Sequence, residues 1–318
     1  RATKALDGVS VALKRGATLG VVGESGSGKS TLARCVVGLL APDGGEILVD
    51  GAPLPRARAA APELVQMVFQ DPCASLNPRR RAGEQVAQGP VAAGVPRAEA
   101  AARARELFEL VGLDPAAVSR FPHEFSGGQR QRIGIARALA MRPKVLVADE
   151  PVSALDVSVQ AQILDLLDEH QRETGIAYVF ISHDLGVVDQ VSDRVAVMYL
   201  GKILETGPVE RIFERPEQPY TRALLSAIPP ADPAVPHDPI RLAGDVPTPI
   251  DPPPGCPFHP RCWLAVDACR QLEPPLLAYE PGHLAACHVT AAEQGFGALA
   301  HDVQKGAPMI LSDAEGRR

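Results

Sequence analysis

The sequence lacks an apolar run long enough to cross a lipid bilayer. Its uninterrupted apolar stretches, such as residues 145–148 and 176–181, fall far short of the ~20 residues that a membrane-spanning helix needs. The chain also opens with neither a methionine nor the apolar core of a signal peptide. We therefore expect a cytoplasmic protein without a membrane span, whose start has been cut or processed.

Positive charge is also in short supply. Lys and Arg number 32 against 38 Asp and Glu, which gives a net charge of -6 at pH 7. Binding to nucleic acid or anionic lipid over a whole surface depends on clustered Lys and Arg. The composition excludes such a chain-wide basic surface, although a local basic patch stays allowed, and we expect no nucleic-acid partner.

Proline divides the chain into two regions of different composition. Of the 31 prolines, 15 fall in residues 1–228 and 16 in residues 229–318. We expect a larger domain over residues 1–228, a small Pro- and Cys-rich module over residues 229–290, and a weakly ordered tail over residues 291–318.

Short apolar runs alternate with helical patterns in the larger region, which is typical of an α/β fold with a parallel sheet built from βαβ units. We expect a first helix over residues 29–40 and a helical insert over about residues 76–135. The predicted buried strands are residues 18–22, 145–148 and 176–181, and the predicted antiparallel pieces are residues 47–49, 195–200 and 203–205.

Residues 23–30, which we call the phosphate loop, match the pattern G-x-x-x-x-G-K-[ST] between a predicted strand and a predicted helix. Glycines let such a loop wrap an anion with its N–H groups pointing inward, and the following helix adds the positive end of its dipole. In this pattern Lys29 reaches the β- and γ-phosphates of ATP, and Ser30 is a ligand of Mg²⁺. The predicted nucleotide-binding residues of the loop are Gly23, Glu24, Ser25, Gly26, Ser27, Gly28, Lys29, Ser30 and Thr31.

An apolar strand that ends in two acids lies at residues 144–150, KVLVADE. Parallel strands deliver their carboxyl ends to a ligand crevice, so Asp149 is suited to bind Mg²⁺ directly or through water. Glu150, one residue further, is suited to polarise the water that attacks the γ-phosphate. Such a strand is often only structural on its own, and its assignment here depends on the phosphate loop.

Residues 125–129, FSGGQ, precede a predicted helix over residues 130–140. They resemble the LSGGQ signature of the ATP-binding cassette (ABC) family, with Phe125 in place of leucine, and we call them the signature segment. The resemblance implies a P-loop NTPase fold with a RecA-like parallel sheet, antiparallel β pieces and a helical insert. It also implies a second anion-binding helix start formed by Ser126, Gly127, Gly128 and Gln129.

Three further positions match the ABC pattern in order. Gln70 resembles the loop glutamine that senses Mg²⁺ and the attacking water. Asp156 resembles the residue that crosses between two cassettes and helps to position the partner's site, and His183 resembles the switch histidine that contacts the γ-phosphate. The resemblance therefore assigns catalysis to Glu150, His183 and Gln70, and the Mg²⁺ ligands to Ser30, Gln70 and Asp149.

In the ABC family the signature of one cassette faces the phosphate loop of another. This chain has one of each, so the resemblance implies pairing with a second ABC ATPase subunit, which we expect to be a similar but non-identical chain. One family element is missing, because residues 1–22 contain no aromatic residue to stack on adenine. We expect that aromatic residue to precede Arg1 in a longer protein. The alternative is that this site binds the adenine base without an aromatic residue at that position.

Six cysteines divide between the two regions. Cys35 and Cys73 are expected to be buried apolar residues of the larger region. The other four are separated by 5, 6 and 17 residues, which matches neither the usual zinc pairs nor the common ferredoxin runs. Spacing alone leaves their ligand open. These four are Cys256, Cys262, Cys269 and Cys287.

Residues 218–225 and 256–262 resemble the carboxyl extension of oligopeptide and dipeptide importer ATPases. In that group a cysteine quartet is associated with a [4Fe-4S] cluster, which the resemblance therefore implies here. The alternatives are zinc, free thiols or adventitious pairing of the thiols. Substitute ligands are available nearby in His259, His283 and His288.

The whole resemblance implies the ATPase subunit of an ABC importer for di- or oligopeptides. Such a subunit sits at the cytoplasmic face of the membrane on two permease subunits, and an extracytoplasmic solute-binding protein selects the cargo. A related importer for nickel or another small solute, a soluble ABC ATPase acting on DNA or the ribosome, and a catalytically silent partner are the alternatives. About 97 residues separate Lys29 from Ser126, which leaves no room for the long coiled-coil insertion typical of the soluble class.

Overall fold

The structure is a computed structural model that describes residues 4–55, 62–153, 155–230, 232, 236–296 and 309–311. Contacts divide the chain into two compact units. The first comprises Arg1–Ala12, Leu19–Leu32 and Ser182–Met309, and the second comprises Leu13–Thr18, Ala33–Ile181 and Ile310–Arg318. Ala154 and most of the expected tail lie outside the described residues, and the domain limits at residues 228 and 290 stay predictions.

Strands and short helices alternate along the chain. The strands are β1 (Ala12–Leu13), β2 (Thr18–Val22), β3 (Ile47–Val49), β4 (Ala52–Pro53), β5 (Val65–Val68), β6 (Val145–Asp149), β7 (Ala177–Ile181), β8 (Arg194–Tyr199), β9 (Lys202–Pro208), β10 (Leu277–Glu280), β11 (His283–Ala285) and β12 (Met309–Leu311). The helices are α1 (Lys29–Val36), α2 (Pro72–Ser75), α3 (Ala82–Ala92), α4 (Arg97–Leu110), α5 (Gly127–Leu139), α6 (Val157–Thr174), α7 (Leu185–Val191), α8 (Val209–Glu214), α9 (Pro219–Ser226), α10 (Asp267–Gln271) and α11 (His288–Glu293).

The second unit contains three parallel strands in the order β7, β6, β5. Their registers pair Val68 with Ala148 and Asp149 with Ile181. Every residue of β6 and β7 is buried, as expected for parallel strands covered on both faces, and this is why the sequence reads as uninterrupted apolar runs. The predictions of these strands are confirmed to within one residue at each end, and Asp149 lies at the carboxyl end of β6.

Helices α3, α4 and α5 of the second unit pack on one another, and α5 continues to Leu139, past the predicted end of the insert at about residue 135. Phe108 of α4 is fully buried and meets Phe125 edge to face, with ring centroids 6.4 Å apart. α5 begins three residues before the predicted start at residue 130, because Ser126 caps it. The signature segment is therefore anchored by a buried aromatic pair and opens directly into a helix.

The strands of the first unit lie in the order β10, β11, β9, β8, β2. β2 runs parallel to β8, whereas β8 and β9 form an antiparallel pair turned at Leu200 and Gly201. A core of buried side chains includes Tyr199, Tyr220 and Phe258, whose ring centroids lie 4.8 to 5.4 Å apart. The cysteine-bearing segment thus packs its Phe258 into the same core as β8.

The first helix is shorter than predicted. α1 ends at Val36 and not at residue 40. Gly38 has a φ of 70°, in the left-handed region, and its amide donates to the carbonyl of Cys35 at 2.9 Å. Such a glycine turn closes a helix, and it leaves Leu39 and Leu40 exposed although they fit the helical period.

Candidate functional site

The phosphate loop contains two glycines that a larger residue could replace only with a clash. The loop leaves β2 at Gly23, whose φ is 147°, and a Cβ atom there would lie 2.1 Å from the carbonyl oxygen of Met198. Gly28 has a φ of 106°, and a Cβ there would lie 2.6 Å from the carbonyl oxygen of Ala5. The loop therefore turns this tightly only because both positions are glycine.

The side chain of Lys29 points back into the phosphate loop. Its ammonium donates to the carbonyl oxygens of Gly23 at 2.7 Å and Glu24 at 2.9 Å, and it lies 3.4 Å from the Ser27 hydroxyl. Lys29 is only 7% exposed, and α1 begins at this residue. A buried cation and the positive end of a helix dipole therefore coincide at one loop, which makes it suited to an anion.

The remaining predicted residues of the loop are more accessible. Ser25 and Gly26 are exposed, and Gly26 has a φ of 80° with open space around its Cα atom. Ser30 and Thr31 are half-buried in the first turn of α1. The Ser30 hydroxyl thus follows the lysine at the helix start, where the sequence pattern places a Mg²⁺ ligand.

Two residues at the phosphate loop were not found by sequence reasoning. The Tyr220 hydroxyl accepts a hydrogen bond of 2.7 Å from the backbone N–H of Glu24. The guanidinium of Arg261 donates to both carboxylate oxygens of Glu24, at 2.6 and 3.1 Å. Arg261 lies 237 residues along the chain from Glu24, and no local pattern signals a contact over that distance.

His183 lies on a short segment of the first unit between β7 and α7. The amide of the preceding Ser182 donates to the carbonyl of Val21 in β2 at 3.3 Å. The following Asp184 caps α7 and accepts from the amide of Gly186 at 2.9 Å. These contacts hold the exposed His183 beside the strand that leads into the phosphate loop.

The predicted carboxylates lie together in the second unit. Asp149 is 6% exposed at the end of β6. Glu150 follows with a φ of 47°, and its amide donates to the carbonyl of Ile181 at 2.9 Å. The amide nitrogen of the Gln70 side chain donates to the Glu150 carboxylate at 2.8 Å, across 80 residues of sequence. A left-handed backbone at a glutamate costs about 1 kcal/mol or more, and Ser153 holds it by donating its hydroxyl to the Glu150 carbonyl at 3.1 Å.

The signature segment forms a reciprocal cap at the start of α5. The Ser126 hydroxyl accepts from the amide of Gln129 at 3.3 Å, and the Gln129 side chain accepts from the amide of Ser126 at 2.9 Å. Ser126, Gly127 and Gln129 are exposed, whereas Phe125 is buried. A Cβ at Gly128 would lie 3.0 Å from a methyl of Val159 in α6, so this glycine permits close approach of the two helix starts.

Asp156 is the N-cap of α6. Its carboxylate accepts a hydrogen bond of 2.6 Å from the Ser158 hydroxyl and one of 3.0 Å from the Val159 amide. These bonds, the hydroxyl first, hold the pKa of Asp156 below its ordinary value of 3.8. The neighbouring Val157 is 83% exposed. The residue predicted to reach a partner therefore also stabilises its own helix, next to one exposed apolar side chain.

The four cysteines of residues 256–287 come near one another in the first unit. Burial, followed by the charges of the other three thiolates, raises the pKa of Cys256 to about 12. Burial likewise raises the pKa of Cys262 to about 11. The amide of Cys256 also donates to the carbonyl of Cys269 at 2.9 Å. Cys35 is buried as expected, and the side chain of Cys73 lies outside the described part of the chain.

The three nearby histidines have other partners. His283 is buried and its Nε2 lies 2.8 Å from the carboxylate of Glu205. His288 Nε2 lies 2.9 Å from the carbonyl of Leu272, and His259 Nδ1 lies 2.9 Å from the carbonyl of Cys256. The expectation that they substitute for a cysteine ligand therefore finds no support in these contacts.

The sequence implies two metal groups, Mg²⁺ at the phosphate loop and an iron-sulfur cluster on the four cysteines. Over the ranges that the structure describes, no group of three or more His, Cys, Asp or Glu side chains is arranged to hold a metal ion. This result gives the predicted [4Fe-4S] cluster no support. Mg²⁺ needs only one or two protein oxygen ligands beside the phosphates, and the Ser30 hydroxyl and Asp149 carboxylate are of that type.

Comparison with known sequences finds two family matches along the chain. Residues 6–153 match the ABC transporter family, and residues 204–269 match the oligopeptide/dipeptide transporter C-terminal region. A relative from Sinorhizobium fredii, named "Probable peptide ABC transporter ATP-binding protein", is 52% identical over 294 residues. The match covers 91% of this chain and 83% of that relative.

Two solved structures share the fold. One is cbiO1 from Clostridium perfringens, part of the ABC transporter complex cbiONQ, with 33% identity and a TM-score of 0.61 over 66% of this chain and 84% of that one. The other is the ATP-binding cassette MJ0796, a dimer in a post-hydrolysis state bound to ADP and Pi, with 30% identity and a TM-score of 0.59 over 64% and 90%.

These likenesses define the class of protein as a P-loop ATPase of the cassette type, so the predicted fold class is confirmed. The chain belongs to the ABC transporter family of ATP-hydrolysing proteins. In the part of the chain that the structure describes, no helix has both the length and the apolar character needed to span a membrane.

Proposed function

We propose that the chain is the ATP-hydrolysing subunit of an ABC importer for di- or oligopeptides, bound to two permease subunits at the cytoplasmic face of the membrane. The name of the Sinorhizobium fredii relative supports peptide as the cargo class. The match of residues 204–269 to the oligopeptide/dipeptide transporter C-terminal region supports it independently. An extracytoplasmic solute-binding protein selects the cargo in this proposal.

The phosphate loop binds the β- and γ-phosphates of ATP. Lys29 serves as their counter-ion, because its ammonium lies inside the loop within 2.7 and 2.9 Å of two loop carbonyls. Ser30 and Asp149 supply oxygen ligands for Mg²⁺, which when bound neutralises charge on the phosphates. His183, held beside β2, contacts the γ-phosphate.

Glu150 orients the attacking water and accepts its proton. The water oxygen bonds to the γ-phosphorus while the bond from phosphorus to the bridging oxygen breaks, and phosphate leaves ADP. The observation that carries this assignment is the hydrogen bond of 2.8 Å from Gln70 to the Glu150 carboxylate. This bond orients the carboxylate, and it supports the proposal that Gln70 responds to the same water.

A second ABC subunit completes each ATP site. Ser126, Gly127 and Gln129 are exposed on the signature segment, and Val157 is 83% exposed beside Asp156. The cassette MJ0796 was solved as a dimer. We infer that these exposed groups of one chain cover the nucleotide held by another, so that the pair closes on ATP and opens after hydrolysis.

Reconstitution tests the proposal. The full chain is assembled in lipid vesicles with its two candidate permeases and a second ABC subunit, and ATP turnover and uptake of a labelled tripeptide are measured together. We expect both to require the assembly and to stop in Glu150→Gln. Equal turnover by isolated single chains would contradict the shared site. Uptake of Ni²⁺ in place of peptide would reassign the cargo, and copurification with ribosomes or DNA would favour a soluble ATPase.

A [4Fe-4S] cluster on Cys256, Cys262, Cys269 and Cys287 stays a prediction from resemblance. The mutual effect of the thiolates on the Cys256 pKa supports their proximity. The described side chains form no group that could hold a metal ion, so no step of the proposed reaction uses the cluster. Protein purified anaerobically is assayed for iron and acid-labile sulfide, and the lack of both would remove the cluster.

A further inference from the structure

The turn that carries two of the four cysteines also contacts the phosphate loop. Arg261 lies between Cys256 and Cys262, at the end of a short 3-10 helix over His259–Arg261. Its guanidinium makes two hydrogen bonds to the Glu24 carboxylate, at 2.6 and 3.1 Å. The Arg261 side chain is 8% exposed and that of Glu24 is 28% exposed. A bidentate ion pair that is partly buried is screened less by salt than an ion pair on the surface.

Glu24 is an unfavourable residue for a loop that binds an anion. Its carboxylate follows Gly23 directly, so an unpaired negative charge would repel the phosphates of a nucleotide. Arg261 neutralises that charge and engages both oxygens, which directs the carboxylate toward the cysteine-bearing turn. The contact also raises the pKa of Arg261, chiefly through the hydrogen bonds to Glu24.

The backbone of Glu24 is fixed from the same side of the first unit. Its N–H donates to the hydroxyl of the fully buried Tyr220 at 2.7 Å. Its carbonyl accepts from Lys29 at 2.9 Å and from the Ser27 amide at 3.2 Å. The Tyr199 hydroxyl accepts from Arg261 at 3.4 Å, and the Tyr199 ring lies 4.8 Å from the ring of Tyr220. Every polar group of Glu24 therefore has a partner, and two of these partners, Tyr220 and Arg261, lie about 200 residues further along the chain.

Hydrogen bonds and aromatic packing hold the turn at residues 256–262 in place. The amide of Cys256 donates to the carbonyl of Cys269 at 2.9 Å, and the amide of Arg261 donates to the carbonyl of Phe258 at 3.0 Å. Phe258 is fully buried against Tyr199 and Tyr220. Because the turn cannot shift without moving this aromatic cluster, it offers Arg261 to the phosphate loop at a fixed position.

We propose that Arg261 is a positioning residue for ATP binding: it cancels the charge of Glu24 and holds the start of the phosphate loop, so the cysteine-bearing turn sets the affinity of the loop for MgATP. The inference rests on the proposed role of the phosphate loop. It assigns Arg261 no contact with the nucleotide, and it concerns KM for ATP and not the chemical step.

The test compares Arg261→Gln, Glu24→Gln and the double variant in the assembled transporter. We expect Arg261→Gln to raise KM for ATP about tenfold with kcat within about twofold, because it leaves the Glu24 charge unpaired. The double variant removes that charge as well, so its KM is expected to return to within about threefold of the original. If Arg261 were needed only for folding, adding Glu24→Gln would not restore the KM for ATP.

Arg211→Gln is the matched control. Arg211 pairs with Glu280 at 3.2 Å on the surface of the same unit, with 44% and 39% exposed side chains, and lies outside the proposed site. Its KM for ATP is expected to stay unchanged. If Arg261→Gln fails to assemble, Arg261→Lys replaces it. Lysine keeps the positive charge but cannot make the bidentate contact with Glu24. We expect its KM for ATP to rise about threefold and its melting temperature to stay unchanged.

An unchanged KM in Arg261→Gln, or a double variant in which the two defects multiply, would overturn the inference. The proposed function is checked separately with Lys29→Ala. If Lys29→Ala loses ATP binding while Arg261→Gln does not, only the positioning role fails. If Lys29→Ala binds ATP normally, the role of the phosphate loop itself is wrong.

Discussion

The phosphate loop and the signature segment are both glycine-rich helix starts, but the fold holds them in different ways. The phosphate loop is fixed by distant residues: Tyr220 and Arg261 both contact Glu24, and Lys29 is 7% exposed. The polar groups of the signature segment form a local cap between Ser126 and Gln129, at the surface. One chain can therefore organise the first for an anion, whereas the second leaves Ser126 and Gly127 exposed, as the proposed contact with another chain requires.

Burial shows the same difference. In the phosphate loop, Gly23 and Ser27 are buried with the lysine. In the signature segment, Phe125 is the buried anchor, and Ser126 and Gly127 are exposed. The loop thus has the properties of a preorganised binding site, in which binding costs little reorganisation, and the signature has those of a docking surface. Four substitutions test the comparison, in order of decreasing effect.

The largest effect is expected for Glu150→Gln. The variant keeps the shape and the contact with Gln70 but loses the proton acceptor, so kcat in the assembled transporter should fall by about 10²- to 10⁴-fold. ATP binding should persist and closed pairs of subunits should accumulate, measured by phosphate release and by size-exclusion chromatography with ATP. Glu169→Gln, on the exposed side of α6, is the control, and wild-type turnover in Glu150→Gln would remove the assigned role.

Lys29→Ala should weaken ATP binding by the isolated full chain by about 10- to 100-fold, because the loop loses its buried cation. Titration with a fluorescent ATP analogue measures this directly. Lys14→Ala, an exposed lysine of the second unit, should bind as before. If single chains bound ATP equally well without Lys29, the phosphate loop would not be the preorganised binding site described above.

Ser126→Ala should affect the signature segment but not the phosphate loop. Loss of the cap costs about 1 kcal/mol of stability, seen as a lower melting temperature, yet ATP binding by the single chain should not change. Turnover by the assembly should fall by about tenfold, because the proposed donor to the neighbour's nucleotide is lost. Ser119→Ala removes another exposed hydroxyl, which bonds the Ala116 carbonyl at 3.3 Å, and serves as the control. Weaker ATP binding by isolated Ser126→Ala chains would contradict the separation.

The smallest effect concerns Asp156 and pH. Its pKa in the folded chain lies below 3.8, the value expected when unfolded. The charged cap therefore stabilises the fold fully above pH 3.8 and loses this effect as pH falls through the lower folded value. The melting temperatures of wild type and Asp156→Asn should differ slightly and constantly from pH 5 to 7 and converge below pH 3.8. A constant difference at all pH values would show that the charge plays no part.

Much of the site could be predicted because its elements are local patterns. β2 and β3 begin and end at the predicted residues, and glycines at positions 23 and 28 have the positive φ that the loop requires. Gln70 was assigned by resemblance, and the structure brings it to Glu150. The end of α1 was predicted too late, because the helical period continues through Leu39 while Gly38 turns the backbone out of the helix.

The amino-acid sequence by itself determined the phosphate loop, the acidic strand end and the signature, because each depends on a few neighbouring residues with fixed backbone preferences. Only the tertiary structure decided that Arg261 neutralises Glu24, that Tyr220 holds the backbone of that residue, and that His283 pairs with Glu205. These contacts join residues 78 to 237 positions apart. Side chains at such separations meet only through the packing of the whole core, which no local period encodes.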